Sequence, residues 1–165
     1  MFSLRNTFFY FLLISPLLVS LYIYLGFRTN QILVHQLVLK SQLLYPYTSS
    51  IKPFWELPYW MIYNLPEGLW IFSLTLIAGV TRANESQKKV LLFLPIFYVL
   101  VLEIFQGIHI TDGTFDVLDL LYAFVFWLLA KEVSTKLKVK IPKNYGRLLI
   151  IIFFVLVFLS DVKTL

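Results

Sequence analysis

Two pairs of polar residues stand out in the second half of an otherwise apolar chain. Glu103 and Gln106 are three residues apart, and so are Asp116 and Asp119, so each pair would share one face of a helix. The short turn between the pairs would bring them together. Clustered carboxylates suit proton sharing, general acid–base catalysis or cation coordination. We therefore predict that these four residues form a candidate catalytic cluster.

Glu103 is the member of this cluster that structural roles explain least well. Asp116 can cap the helix that follows it, and Asp119 can interact favourably with the positive end of that helix. Glu103 lies near the C-terminal end of its apolar segment, where the helix dipole disfavours an anion. We predict that Glu103 is the principal functional residue.

Five further residues are predicted to contribute to binding. Asn64 and Glu67 lie at the start of an earlier apolar segment, and His109 and Asp112 lie in the turn between the two pairs. Trp70 belongs to a region rich in tyrosine and tryptophan, for which anchoring at a membrane interface is the simpler role and ligand stacking the alternative. We predict that these five residues surround the cluster.

Several kinds of chemistry are excluded by what the sequence lacks. Cysteine is absent, so there is no disulfide and no thiolate ligand or nucleophile. The two histidines, His35 and His109, do not have zinc-ligand spacing. Phosphate-binding loops, dinucleotide fingerprints and serine nucleophile elbows are also missing. The sequence predicts no metal site and no cofactor, although the carboxylates alone leave cation coordination open.

The composition identifies the environment of these residues as a membrane. Hydrophobic residues make up 59% of the chain and charged residues only 14%, outside the usual range of soluble domains. We predict an all-α fold, a polytopic transmembrane helix bundle that forms a single domain over residues 1–165. The net charge of +5 comes from short loops between apolar segments. Membrane lipids are therefore expected as partners, and nucleic acid is not.

Five apolar segments approach the roughly 20 residues needed to cross a bilayer, and four spans are the alternative. The segments cover residues 7–27, 65–80, 90–106, 115–130 and 147–162. Asn64 is a possible N-cap for the second span, and Pro66 lies near its first position, where a missing N–H costs little. Residues 31–63, between the first two spans, are predicted to lie along one membrane interface.

The basic residues predict the orientation. Short basic loops tend to stay in the cytoplasm. Arg82, Lys88 and Lys89 follow the second span, and the linker between the fourth and fifth spans is more basic still. Both loops fall on the same side of a five-span bundle. We predict a cytoplasmic N-terminus, an extracytoplasmic C-terminus and a polar cluster on the extracytoplasmic side.

The segment EIFQGIHITDGTFDVLDLL, residues 103–121, resembles the signature of the VanZ-like family of small bacterial membrane proteins. The matching positions are Glu103, Gln106, Phe115, Asp116, Asp119 and Leu120. The chain departs from the family in two places. Thr114 stands where a base often precedes the Phe-Asp element, and residues 64–70 replace an Asp-Lys-x-x-His element. Those residues resemble a divergent branch with an acid-Gly-Leu-Trp motif, in which Glu67 takes the acidic role.

The resemblance implies a bundle of four or five helices in the inner membrane of the bacterial cell envelope, but it implies no particular reaction. Two hypotheses follow. In the first, the cluster binds or processes a lipid-linked or cell-wall component, with Glu103 as base or coordinating group. In the second, the protein is a non-catalytic membrane subunit or scaffold, and the cluster contacts a membrane protein partner.

Overall fold

The structure is a computed structural model that describes residues 4–27, 56–110 and 114–161. These residues form six helices: α1 (Leu4–Phe27), α2 (Tyr59–Tyr63), α3 (Leu65–Val80), α4 (Glu85–Gly107), α5 (Val117–Lys136) and α6 (Lys143–Asp161). Within the described ranges there is no β-strand, only an isolated bridge between Thr81 and Ile141. The predicted all-α fold is confirmed for this part of the chain.

The five long helices coincide with the predicted spans, but several of their ends differ. α3 has the predicted bounds, and proline lies in its first turn. α4 begins at Glu85 rather than Val90, because the side chain of Asn84 caps it by accepting a hydrogen bond from the Gln87 N–H at 2.8 Å. α5 continues past residue 130 into polar sequence. Of the predicted interfacial segment 31–63, residues 31–55 lie outside the described residues.

Three described helical segments are long and apolar enough to cross a membrane. They are Asn6–Tyr24, Tyr59–Val80 and Glu85–Gly107. The second combines α2 and α3, because Asn64 keeps a near-helical backbone between them. α5 and α6 are not among these three, and the second half of α5 contains Lys131, Glu132 and Lys136. The structure is therefore that of a helical protein with three candidate spans.

α3 is the centre of the bundle. α1, α4, α5 and α6 all pack against it, and nearly every residue from Trp70 to Val80 is buried. α1 runs antiparallel to α3 and is joined to it by two hydroxyl groups. Ser73 Oγ donates to the Leu13 carbonyl at 3.2 Å, and Ser20 Oγ lies 3.5 Å from the Pro66 carbonyl. These bonds satisfy polar groups inside an apolar interior.

α3 and α5 run parallel and approach closely where small residues meet. Gly79 faces Ser134, and a Cβ added to Gly79 would overlap with the Ser134 side chain. Gly68 faces the ring of Phe126 in the same way. Small residues at helix contacts are typical of membrane proteins because they allow backbones to come close. The two contacts therefore hold α3 and α5 side by side along their length.

Large apolar side chains cover the outside of the bundle. Exposed examples occur on α1, α4, α5 and α6: Phe8, Phe11, Phe93, Phe97, Phe124, Leu128, Ile151 and Val155. So large an apolar surface is unfavourable in water and is the expected surface of a helix bundle in hydrocarbon. The outer surface thus agrees with a membrane environment.

Four acidic residues gather at one end of the bundle, and most basic residues gather at the other. At the acidic end, where α3 and α5 begin and α4 ends, lie Glu67, Glu103, Asp116 and Asp119. At the basic end, where α3 and α5 end and α4 and α6 begin, the described chain has Arg82, Lys88, Lys89, Lys131, Lys136, Lys138, Lys140, Lys143 and Arg147. Two backbone hydrogen bonds hold the basic end together: Arg82 N–H to the Ile141 carbonyl at 2.9 Å, and Ile141 N–H to the Val80 carbonyl at 3.0 Å.

Candidate functional site

Asn64 lies at the centre of the acidic end. It is the single residue between α2 and α3 and is only 1% exposed. Its side-chain nitrogen donates to Asp119 Oδ1 at 2.7 Å and to Asp116 Oδ2 at 3.1 Å. The N-cap role predicted for Asn64 is wrong, because its side chain makes no capping hydrogen bond. The amide instead joins the start of α3 to the start of α5.

Asp116 links all three helices that meet at the acidic end. Its Oδ1 accepts from the Leu118 N–H at 2.8 Å, so it caps α5 as the sequence suggested. Its Oδ2 accepts from Asn64. Its own backbone N–H donates to Glu103 Oε2 at 2.8 Å. The result is a continuous hydrogen-bonded chain from α4 through α5 to α3.

Glu103 is the most deeply buried carboxylate of the site, at 1% exposure. Carboxylate oxygens of Glu67, Glu103 and Asp119 lie within 4.8 Å of one another, and we call these three residues the carboxylate triad. Glu67 and Asp119 lie in the first turns of α3 and α5, where the helix dipoles stabilise anions. Glu103 lies near the C-terminal end of α4, where the dipole does the opposite. Both the burial of Glu103 and its position at this end of the helix therefore disfavour a negative charge on its carboxylate.

The remaining predicted site residues have different locations. Gln106 is half-buried one turn after Glu103, and its side chain has no hydrogen bond to another described residue. His109 is exposed in the turn after α4, with a positive φ of 59°. Trp70 is buried in the apolar core, edge-on to Tyr98 with ring centroids 5.7 Å apart. Asp112 lies outside the described residues. The predicted residues brought together are thus Asn64, Glu67, Glu103, Asp116 and Asp119.

An aromatic pair beside the cluster was not singled out from the sequence. Trp60, one turn before Asn64, stacks on Tyr122, one turn after Asp119, with ring centroids 6.0 Å apart. Trp60 is also partly exposed. The sequence marks Trp60 as one of many aromatic residues but contains no local signal for its pairing with a ring on α5. The pair gives the acidic end a flat apolar face next to its carboxylates.

The chemistry available at this site is that of oxygen acceptors. The side chains that converge are four carboxylates and one amide, held by three helices. The lysines and arginines of the described chain lie at the basic end. Ionised carboxylates only accept hydrogen bonds, so the site suits ligands that donate hydrogen bonds or carry positive charge.

No known family model matches this chain, and comparisons with curated proteins and with solved structures found no match. The resemblance to the VanZ-like family therefore depends on residues 103–121 and on the motif at residues 64–70.

Proposed function

We propose that the chain is a VanZ-like multi-pass protein of the bacterial inner membrane, and that its acidic end binds or processes a lipid-linked or cell-wall component. One observation above all supports this proposal: Glu103 is buried, accepts a hydrogen bond from Asp116 and lies close to two further carboxylates. Burying clustered carboxylates is unfavourable. Ionisable groups in membrane proteins are therefore usually retained for function.

In this proposal α5 and α6 also cross the membrane, which gives five spans. The two helices contain 20 and 19 residues, or roughly 30 Å of helix at about 1.5 Å per residue, about the thickness of the hydrocarbon core. Several of their charged residues lie near the helix ends, where long side chains can reach the interface. By the positive-inside rule the basic end faces the cytoplasm and the acidic end faces outward.

The chemistry of the acidic end fits a ligand with hydroxyl and amide groups. Cell-wall precursors and lipid-linked sugars present such groups at the level of the membrane interface, where the carboxylates can accept hydrogen bonds from them. The stacked rings of Trp60 and Tyr122 offer an apolar face for a sugar ring. Glu103 then acts as base or coordinating group, with Asp116 and Asp119 as its partners.

Replacement of Glu103 by glutamine tests the proposal. Glu103→Gln keeps the size of the side chain and an oxygen for the Asp116 N–H but removes the ionisable group. We expect normal yields of folded protein, and we expect the variant to fail to restore envelope function, where the wild-type gene restores it, in a strain that lacks the chromosomal copy. Glu132→Gln is the matched control, because Glu132 is exposed at the basic end and forms an ion pair with Lys136, at 3.0 Å.

The opposite result would identify Glu103 as structural. In that case Glu103→Gln would lower the yield of folded protein, while activity per folded molecule would equal that of Glu132→Gln. A second readout is the set of lipids that copurify with each variant, measured by mass spectrometry. Loss of a lipid-linked species from Glu103→Gln alone would support the proposal.

The second candidate function, a non-catalytic membrane subunit, is favoured by one observation. Apolar side chains are exposed around the acidic end, among them Ile108, Ile110, Phe115 and Val117, and such a surface fits a protein partner. Purification in mild detergent separates the two functions. A stoichiometric membrane protein that is lost from an Ile110→Asn variant supports the subunit. A solitary protein with bound lipid supports the first proposal.

A further inference from the structure

We propose that the carboxylate triad and the side-chain oxygen of Asn64 bind one divalent cation of calcium size at the acidic end. This inference deepens the proposed function by naming a ligand of the same site, and it rests on that function only for what the cation does there. The sequence predicted no metal site because its histidines lack zinc-ligand spacing, although its clustered carboxylates left cation coordination open. Four arguments support the cation.

The spacing of the triad fits calcium. Its three oxygens lie within 4.8 Å of one another. The centre of an equilateral triangle with sides of this length is about 2.8 Å from each corner, so a point exists no farther than that from all three oxygens. Calcium–oxygen distances are about 2.3–2.6 Å, and magnesium requires about 2.0–2.1 Å in near-ideal octahedral geometry. Even at this upper limit, shifts of a few tenths of an ångström would complete a calcium site. Magnesium usually keeps several waters and takes only one or two carboxylates, so a site of three carboxylates and an amide suits calcium better.

The side-chain oxygen of Asn64 also points to a cation, independently of the spacing of the triad. The Asn64 side chain is held against the cluster by the two hydrogen bonds from its nitrogen. Its Oδ1 atom is buried and has no hydrogen-bond partner among the described residues. An amide oxygen can only accept, and a buried acceptor without a partner costs about 1–3 kcal/mol. A cation would satisfy this oxygen, because amide and carboxylate oxygens are both calcium ligands.

The types of ligand also select the metal. The triad offers oxygen atoms as ligands, and His109, the one histidine in the described residues, is exposed and does not belong to the triad. Zinc prefers histidine and cysteine, whereas calcium takes six to eight oxygen ligands, some from water. A divalent ion would also reduce the mutual repulsion of three carboxylates at this distance.

A bound cation would allow the acidic end to bind phosphate groups as well. Carboxylates alone repel the phosphate groups that link sugars to membrane lipids. A divalent ion on the triad, with water in its remaining positions, could bind a phosphate oxygen directly in place of one water. Under the proposed function, the cation is what allows an acidic site to bind an anionic lipid-linked ligand.

The test is calcium chloride titration of the full-length protein, purified in detergent and stripped with chelator. We expect saturable binding of one ion per molecule and an increase in melting temperature on binding. Glu103→Gln and Glu67→Gln should each weaken binding at least about tenfold, and the Glu132→Gln control should bind as the wild type does. Magnesium should compete only at higher concentration.

Two results would overturn the inference: wild-type protein that shows no saturable calcium binding, or triad variants that bind as tightly as the Glu132→Gln control. A positively charged group occupying the triad would give the first result. Circular dichroism and gel filtration establish whether each variant folds. If Glu103→Gln does not fold, the test depends on the number of calcium ions bound per wild-type molecule and on the calcium affinity of Glu67→Gln.

The inference and the proposed function fail in different ways. If the wild type binds no calcium but Glu103→Gln loses the phenotype, the function stands without the cation. If Glu103→Gln loses calcium but keeps the phenotype, the cation stands and the proposed function does not.

Discussion

The contact between Gly79 on α3 and Ser134 on α5 leads to a quantitative prediction about the packing that positions the site. A Cβ on Gly79 would overlap with both the Cβ and the Oγ of Ser134. The Cβ of Ser134 is fixed to the backbone and cannot rotate away. Gly79→Ala should therefore force the two helices apart, and Ser134→Gly in the same molecule should restore the space.

The magnitudes follow from two opposing effects. Overpacking a tight contact costs about 1–3 kcal/mol, while alanine is favoured over glycine inside a helix by about 1 kcal/mol. Gly79→Ala alone should thus lower the free energy of unfolding by up to about 2 kcal/mol. In the double variant the overlap is removed, so the two substitutions should be coupled by about 1–3 kcal/mol.

The assay is thermal or denaturant unfolding of the wild type, both single variants and the double variant in one detergent. Gly107→Ala is the control, because a Cβ there would be no closer than 3.5 Å to its nearest neighbour, and it should not destabilise. Additive effects of Gly79→Ala and Ser134→Gly would refute the close contact between α3 and α5.

Three further predictions concern individual residues and orientation. Asn64→Leu should lower the free energy of unfolding by about 3 kcal/mol, because two hydrogen bonds to carboxylates are lost; an equal effect of Asn144→Leu at an exposed site would contradict this. Trp127→Phe should cost about 1 kcal/mol in the same unfolding assay, since the indole N–H donates to an α4 carbonyl at 2.7 Å; an unchanged stability would exclude that bond. A periplasm-active reporter fused after Asp112 should be active and the same reporter after Ser134 inactive; the reverse pattern would invert the proposed orientation.

The sequence predicts the helices well where local chemistry determines their ends. The bounds of α3 agree because Pro66 favours a first turn and polar residues follow Val80. The start of α4 was predicted too late because hydropathy was given more weight than the capping side chain of Asn84. The end of α5 was predicted too early because a helix can continue beyond apolar sequence, here with the pair Glu132–Lys136 on its surface.

The site is less predictable, because its contacts join residues far apart in the chain. Spacing indicated which residues share a helix face, and Glu103 and Asp116 do meet. The role of Asn64 could not be predicted from its neighbours in the sequence, because an asparagine before a helix can act either as an N-cap or as a hydrogen-bond donor to another helix. Trp70 was expected near the site, but it lies one turn deeper than Glu67, where the neighbours are apolar and Tyr98 packs against it.

The backbone bonds at the basic end have a practical consequence for protease mapping of topology. Lys138 and Lys140 have exposed side chains and would be the obvious trypsin sites in this connection. The peptide bond after Lys140, however, donates its N–H to the Val80 carbonyl, and the next carbonyl accepts from Arg82. Before a protease can cleave here, the segment must open locally and break these two hydrogen bonds. The cleavage rate therefore depends on how fast or how often the segment opens, and not only on the exposure of the lysine side chains. Resistance to trypsin at Lys140 would therefore not show which side of the membrane this connection occupies.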